Sequence, residues 1–148
     1  MSLTGRRVAA SLLAAVLVVV AALVLWPSHP DIAGVDRAAR ELLTPLVADG
    51  APAIVLHAGA IEFAANIVMF LPLGFLGTLA LPRRLWWIAP LACFALSCGI
   101  ETTQLLLLPG RTFAVRDIVS NTTGGLVGSG AAVVLDALLQ LARRGRER

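Results

Sequence analysis

From Val8 to Trp26 the chain carries no charged side chain, and a helix needs about 20 mostly apolar residues to cross the hydrocarbon layer of a bilayer. No other feature constrains the fold as strongly. Three further stretches meet the same requirement, from about Glu62 to Leu81, Leu85 to Leu108 and Asp117 to Leu141. Composition agrees: of 148 residues 58% are hydrophobic and 14% charged, with a mean hydropathy of +0.86, whereas a soluble domain is about one quarter charged. The chain therefore reads as an all-α integral membrane protein, a single domain over residues 1–148 with four transmembrane helices at about 8–26, 62–81, 85–108 and 117–141.

Arginine placement sets the expected orientation, because short loops rich in Lys and Arg stay in the cytoplasm. Arg6 and Arg7 precede the first span, Arg83 and Arg84 separate the second and third, and Arg143, Arg144, Arg146 and Arg148 follow the fourth. Arg37, Arg40, Arg111 and Arg116 fall on the other side, mixed with Asp31, Asp36, Glu41 and Asp49. Both termini are thus expected in the cytoplasm. Trp26, Trp86 and Trp87 stand where interfacial aromatic anchors belong. The N-terminus resembles a secretory signal, but its apolar run exceeds the usual 7–15 residues and LWPSHP lacks a small-x-small cleavage site, so an uncleaved first span is expected. A net charge of +3 could suggest nucleic acid, yet the arginines sit at membrane edges and form no basic face with interleaved aromatics, so none is expected.

Between the first two spans, Ile32, Val35, Ala39, Leu42, Leu43 and Leu46 recur at helical spacing among Asp36, Arg37, Arg40 and Glu41. This fits a short interfacial helix interrupted near Pro45, and equally an irregular loop weakened by Gly34 and Pro45. Pro72 predicts a kink in the second span, where Gly74 and Gly77 leave room for a neighbour. Gly124 and Gly128 form a small-x-x-x-small step suited to close helix contact. Cys93 and Cys98 lie about 140° apart on one helix, too divergent to bridge, and read as small buried residues. No role is expected for His29 or His57, which are isolated outside the spans.

The informative residues are polar ones within apolar stretches. An ionisable group at the centre of a transmembrane helix costs roughly 2.5–3.5 kcal/mol on insertion scales, so such groups face one another or water. Glu101 comes 15 residues after Trp86, or about 22 Å along a helix, which places Glu101 and Gln104 in the outer third of the third span. Glu62 and Asn66 open the second span from outside, and Asp117 and Asn121 open the fourth. Within each helix these pairs lie about 40° to 60° apart, so three stripes at one depth are expected to turn inward and meet. The turn at Pro109 and Gly110 brings Arg111 over the same region.

Glu62, Glu101 and Asp117 against Arg111 and Arg116 make a nearly balanced set, which an interhelical network fixing register would also explain. Measured interhelical hydrogen bonds average only about 0.6 kcal/mol, however, so packing alone is a weak reason for so many costly groups. Glu62 could equally be solvated at the membrane mouth. Arg116 is expected to reach headgroups by extending along the interface, and Asp117 to serve as an N-cap for the fourth helix as well as a site residue. No spacing enforces a nucleophilic triad, and no metal or cofactor is expected.

Two segments, EFAANIVMFLPLGF and SCGIETTQLLLLPGRTFAVRDIVSNTTGGLVG, carry an ordered set of features. These are Asn66 and Phe70 before Pro72-x-Gly74; Glu101-x-x-Gln104; Gly110-Arg111-Thr112; and Asp117-x-x-x-Asn121-x-x-Gly124. In this combination, over roughly residues 60–130, the chain resembles the VanZ-like family of small bacterial membrane proteins. The family is named for a protein associated with resistance to teicoplanin, a glycopeptide with a lipid tail that binds cell-wall precursors. The resemblance supplies no established reaction. It implies a multi-pass protein of the bacterial plasma membrane in contact with lipids. Many members carry acidic residues just after the Arg-Ser-Phe stretch, where this chain has Ala114, Val115 and Arg116; the resemblance therefore implies no cation site there.

The leading expectation is an outer-leaflet polar cavity that engages a lipid-linked or amphiphilic envelope ligand and influences glycopeptide susceptibility. Its ligand-binding residues would be Glu62, Asn66, Glu101, Gln104, Arg111, Asp117 and Asn121, with Arg111 as the anion contact. Two alternatives stand beside it. One is a membrane enzyme on a lipid-linked substrate, with Glu101 or Asp117 as general acid or base; the other is an accessory subunit bound to a partner protein through the Gly124–Gly128 face.

Overall fold

The computed structural model describes residues 3–24, 33–107 and 113–146, and the side chains of all of these except 33–36 and 146. Trp26, His29 and residues 108–112, Arg111 among them, lie outside the described residues. The helices are α1 (Leu3–Val24), α2 (Ala33–Ala48), α3 (Ala58–Ala80), α4 (Ile88–Leu107) and α5 (Val115–Arg146). Single 3₁₀ turns at Ala53–Leu56 and Arg83–Leu85 lead into α3 and α4. Among the described residues there is no strand. Four helices are long and apolar enough to cross a membrane: α1, α3, α4 with its preceding turn, and α5.

The expected break at Pro45 is not found, because α2 continues through it to Ala48. A proline lacks the N–H that would reach the carbonyl four residues earlier, but Pro45 falls in the last turn, where little helix remains to be disrupted. The helix stops at Gly50 instead. Gly50 has φ +104, and the Ala51 N–H donates to the Leu46 carbonyl at 2.8 Å while the Gly50 N–H donates to Val47 at 3.1 Å. This paired closure satisfies the last carbonyls of a helix and favours glycine at the left-handed position. In the second span α3 likewise runs on through Pro72.

The bundle is organised around α3 and α5, which share the most extensive interface, with α1 packed on α3 and α4 on α5. Small residues make this approach close. A methyl group on Gly124 would collide with the Ile67 carbonyl, one on Gly128 with the Leu71 carbonyl, and one on Gly74 with the Gly125 carbonyl. Without a hydrophobic effect between helices in lipid, such backbone proximity supplies the dispersion contacts that hold spans together. Ser129 adds a buried hydrogen bond from its Oγ to the Gly74 carbonyl at 3.2 Å. A compact apolar cluster of Val20, Phe70, Leu73, Cys93 and Ile100 fills the space between α1, α3 and α4, while Leu106, Val68, Val134 and many other large apolar side chains face outward, as a lipid solvent permits.

Arg6, Thr78, Arg83 and Asp136 line one recess, so the start of α1, the end of α3, the α3–α4 turn and the later part of α5 meet at one end of the bundle. At the other end Gln104 bonds the end of α1, and Arg116 near the start of α5 meets Glu62 of α3. Arg6 and Arg83 are thereby gathered at one end, opposite the Glu101, Gln104 and Asn121 cluster.

Candidate functional site

Three residues of α4, Ser97, Glu101 and Gln104, follow at spacings of four and three and so share one helix face. All three are buried, with Glu101 at 2% and Gln104 at 7% exposure. Each is used differently. The Gln104 amide Nε2 donates to the carbonyl of Val24, the last described residue of α1, at 2.9 Å. Glu101 Oε2 accepts the Ala114 N–H at 2.7 Å. Ala114 stands just before the first turn of α5, and its carbonyl accepts from the Asp117 N–H at 3.0 Å. A buried carboxylate is thereby set against a helix N-terminus, where backbone donors and the helix dipole both favour negative charge.

Ser97, which is fully buried, accepts a 2.9 Å hydrogen bond from Asn121 Nδ2 on α5. Asn121 is 3% exposed, and its Oδ1 is buried with no hydrogen-bond partner among the described residues. A buried acceptor left in that state costs about 1–3 kcal/mol. The orphan oxygen is therefore a group in the cluster whose chemistry is incomplete.

Asp117 is not the N-cap expected from the sequence. It sits in the first turn of α5, with Ala114 in the capping position, and its carbonyl accepts from Ser120 Oγ at 3.0 Å. An acidic side chain there still complements the helix dipole. Arg116 pairs with Glu62, and both side chains are about half exposed. This ion pair draws Glu62 out of the interior, so α3 does not contribute its carboxylate to the buried group. Asn66 is half-buried. The stripes on α4 and α5 do meet, and the α3 stripe is divided between an exposed pair and a half-buried amide.

Sequence reasoning missed Ser97. A serine in an apolar helix is an ordinary small residue, and its one signal was its place four residues before Glu101, on the same stripe. Also missed was an apolar groove beside the polar cluster. Because α1 packs chiefly on α3 and not on α4, a space of about 370 Å³ lies between them, lined by Val20, Ala21, Leu96, Gly99, Ile100 and Thr103. A second space of about 220 Å³ continues from it through the shared Leu17 and Leu96 to Gly77 and Ile88. Ile100 and Thr103, which border the groove, immediately precede Glu101 and Gln104 in α4. Among the described residues no three His, Cys, Asp or Glu side chains gather as a metal site.

A bundle of four helices long and apolar enough to cross a membrane, with buried amide and carboxylate groups at one end and Arg6 and Arg83 at the other, defines a multi-pass helical membrane protein. The model of the VanZ/LLP1 family matches residues 13–136, most of the chain, and the protein belongs to that family. No curated protein and no solved structure matches it.

Proposed function

We propose that this VanZ-like protein engages an amphiphilic or lipid-linked envelope ligand, with the polar part held by the Glu101, Gln104 and Asn121 cluster and the apolar part in the groove between α1 and α4. The buried, unpartnered Asn121 Oδ1 carries this reading, because a network serving only to fix helix register would be expected to satisfy its own members. The groove supports it by offering apolar space beside the polar cluster. A ligand hydroxyl or amide N–H would complete Asn121, and Arg111 is assigned from the sequence as the contact for phosphate or carboxylate, suited to it by a fork of donors. The cluster would lie in the outer leaflet of the bacterial plasma membrane, with both termini in the cytoplasm. Such engagement would alter susceptibility to glycopeptides of the teicoplanin type.

The test is a gene deletion complemented with wild-type or Arg111→Ala protein, scored by teicoplanin susceptibility, envelope-lipid profile and membrane abundance. The expected result is loss of complementation at unchanged abundance. Full complementation by Arg111→Ala sinks the proposal, and loss of the protein from the membrane points to a structural role for Arg111.

A further inference from the structure

At the opposite end of the bundle, Arg6 of α1, Thr78 of α3, Arg83 and Trp86 of the α3–α4 connection, and Asp136 of α5 line a small recess of about 40 Å³. Its chemistry is one-sided. Thr78 is 8% exposed and its Oγ1 has no hydrogen-bond partner among the described residues; the Gly74 carbonyl, one turn earlier in α3, accepts instead from Ser129. Arg6 is half-buried, and its guanidinium forms no hydrogen bond or ion pair among the described residues.

The acceptors nearby are already engaged. Arg83 Nη1 donates to Gln140 Oε1 at 2.7 Å, Gln140 Nε2 donates to Asp136 Oδ2 at 2.8 Å, and Arg83 Nε stands 3.8 Å from the same carboxylate oxygen. Arg6, Arg83 and Asp136 together leave one net positive charge on the recess lining. Arg6, the buried Thr78 and Trp86 thus line one space, and the carboxylate among its lining residues, Asp136, meets Arg83 and Gln140. The missing complement is an anionic group rich in acceptors.

Size and place narrow its identity. The recess exceeds the roughly 10–15 Å³ that admits one water molecule, and it is too small to enclose a lipid headgroup whole, so it suits one tetrahedral oxyanion seated at its mouth. It lies where the spans end, flanked by the exposed Trp86 and Trp87, residues that prefer the headgroup layer. Basic pockets between transmembrane helices recognise anionic headgroups in this setting.

We propose that this recess seats the phosphate of an anionic phospholipid from the leaflet that meets the arginine-bearing end of the bundle, with Arg6 and Thr78 as its direct donors and Arg83 held ready by Asp136 and Gln140. The site is separate from the Glu101 cluster and does not depend on what that cluster binds.

Native mass spectrometry on the detergent-solubilised full chain tests this with phosphatidylglycerol, diacylglycerol of the same chains, and inorganic phosphate. Phosphatidylglycerol is expected to bind at least about ten-fold more tightly than diacylglycerol, and Arg6→Gln and Thr78→Val are each expected to weaken it about five-fold. Arg84→Gln, on an exposed arginine outside the recess, should change binding less than about two-fold. Equal retention of both lipids overturns the proposal. So does an Arg84→Gln effect as large as that of Arg6→Gln, which would mean diffuse surface charge, and so does displacement of the lipid by inorganic phosphate at equal concentration, which would mean a free-phosphate site. Thr78→Val preserves shape and removes only the hydroxyl, so an unchanged affinity in that folded variant is also decisive against it.

Discussion

The Gln104 side chain of α4 holds the Val24 carbonyl at the end of α1, 80 positions earlier in the chain, across a 2.9 Å hydrogen bond. Because α1 otherwise packs on α3, this bond closes one end of the space between α1 and α4. Gln104→Leu should lower stability by about 0.5–1.5 kcal/mol, in keeping with interhelical hydrogen bonds measured in membranes. Thermal unfolding in detergent would register this; a larger drop would mean that Gln104 does more than tie two helix ends.

Glu101 offers a separation of charge from geometry. Its Oε2 accepts the Ala114 N–H, and glutamine keeps an acceptor oxygen at that position while losing the charge. Glu101→Gln should therefore be mild in abundance and in complementation, whereas Glu101→Leu, which abandons a buried donor, should cost about 1–3 kcal/mol. If Glu101→Gln abolishes complementation while ligand binding persists, the carboxylate is acting as a general acid or base, and the enzymatic alternative replaces the binding reading.

At the α3–α5 interface, Gly124→Leu and Gly128→Leu would each drive a side chain into a backbone carbonyl of α3, at Ile67 and Leu71. Backbone yields less readily than a side-chain tip, so destabilisation at or above the usual 1–3 kcal/mol of overpacking is expected, read as loss of folded protein from the membrane. Gly130→Ala is the matched control: nothing lies within 4 Å of the added methyl, and abundance should be unchanged. Because Gly124 and Gly128 are consumed within the chain, a partner protein has no access to that face without unpacking α3.

The Glu62–Arg116 pair should contribute little. Both side chains are about half exposed, and exposed ion pairs are worth roughly 0–1 kcal/mol because solvent screens them and ordering costs entropy. A double-mutant cycle with Glu62→Gln and Arg116→Gln should give a coupling under about 1 kcal/mol. A coupling of several kcal/mol would place the pair in a low-dielectric setting and restore Glu62 to the buried cluster.

Much of this architecture was legible in the chain. The four spans followed from hydropathy because a bilayer imposes a length and a polarity that sequence alone can meet or fail. The close approach at Gly124 and Gly128 was legible too, since only small side chains permit it. Pro45 misled, because its effect depends on how much helix follows, and Gly50 supplied the stop. Asp117 misled by a turn, because the start of α5 is decided by Ala114 and by the Glu101 carboxylate reaching it from another helix. Ser97 carried no signal of its own.

The sequence by itself determined how many helices cross the membrane and which polar residues lie near one depth, because helix rise and helix angle are local quantities set by residue count. Only the tertiary structure decided how those residues divide. Helix rotation and the distances between helices depend on packing at Gly74, Gly124 and Gly128, and that packing turned Glu101 and Asn121 inward, left Glu62 to an exposed partner, opened the groove between α1 and α4, and gathered Arg6, Thr78 and Arg83 around a single recess.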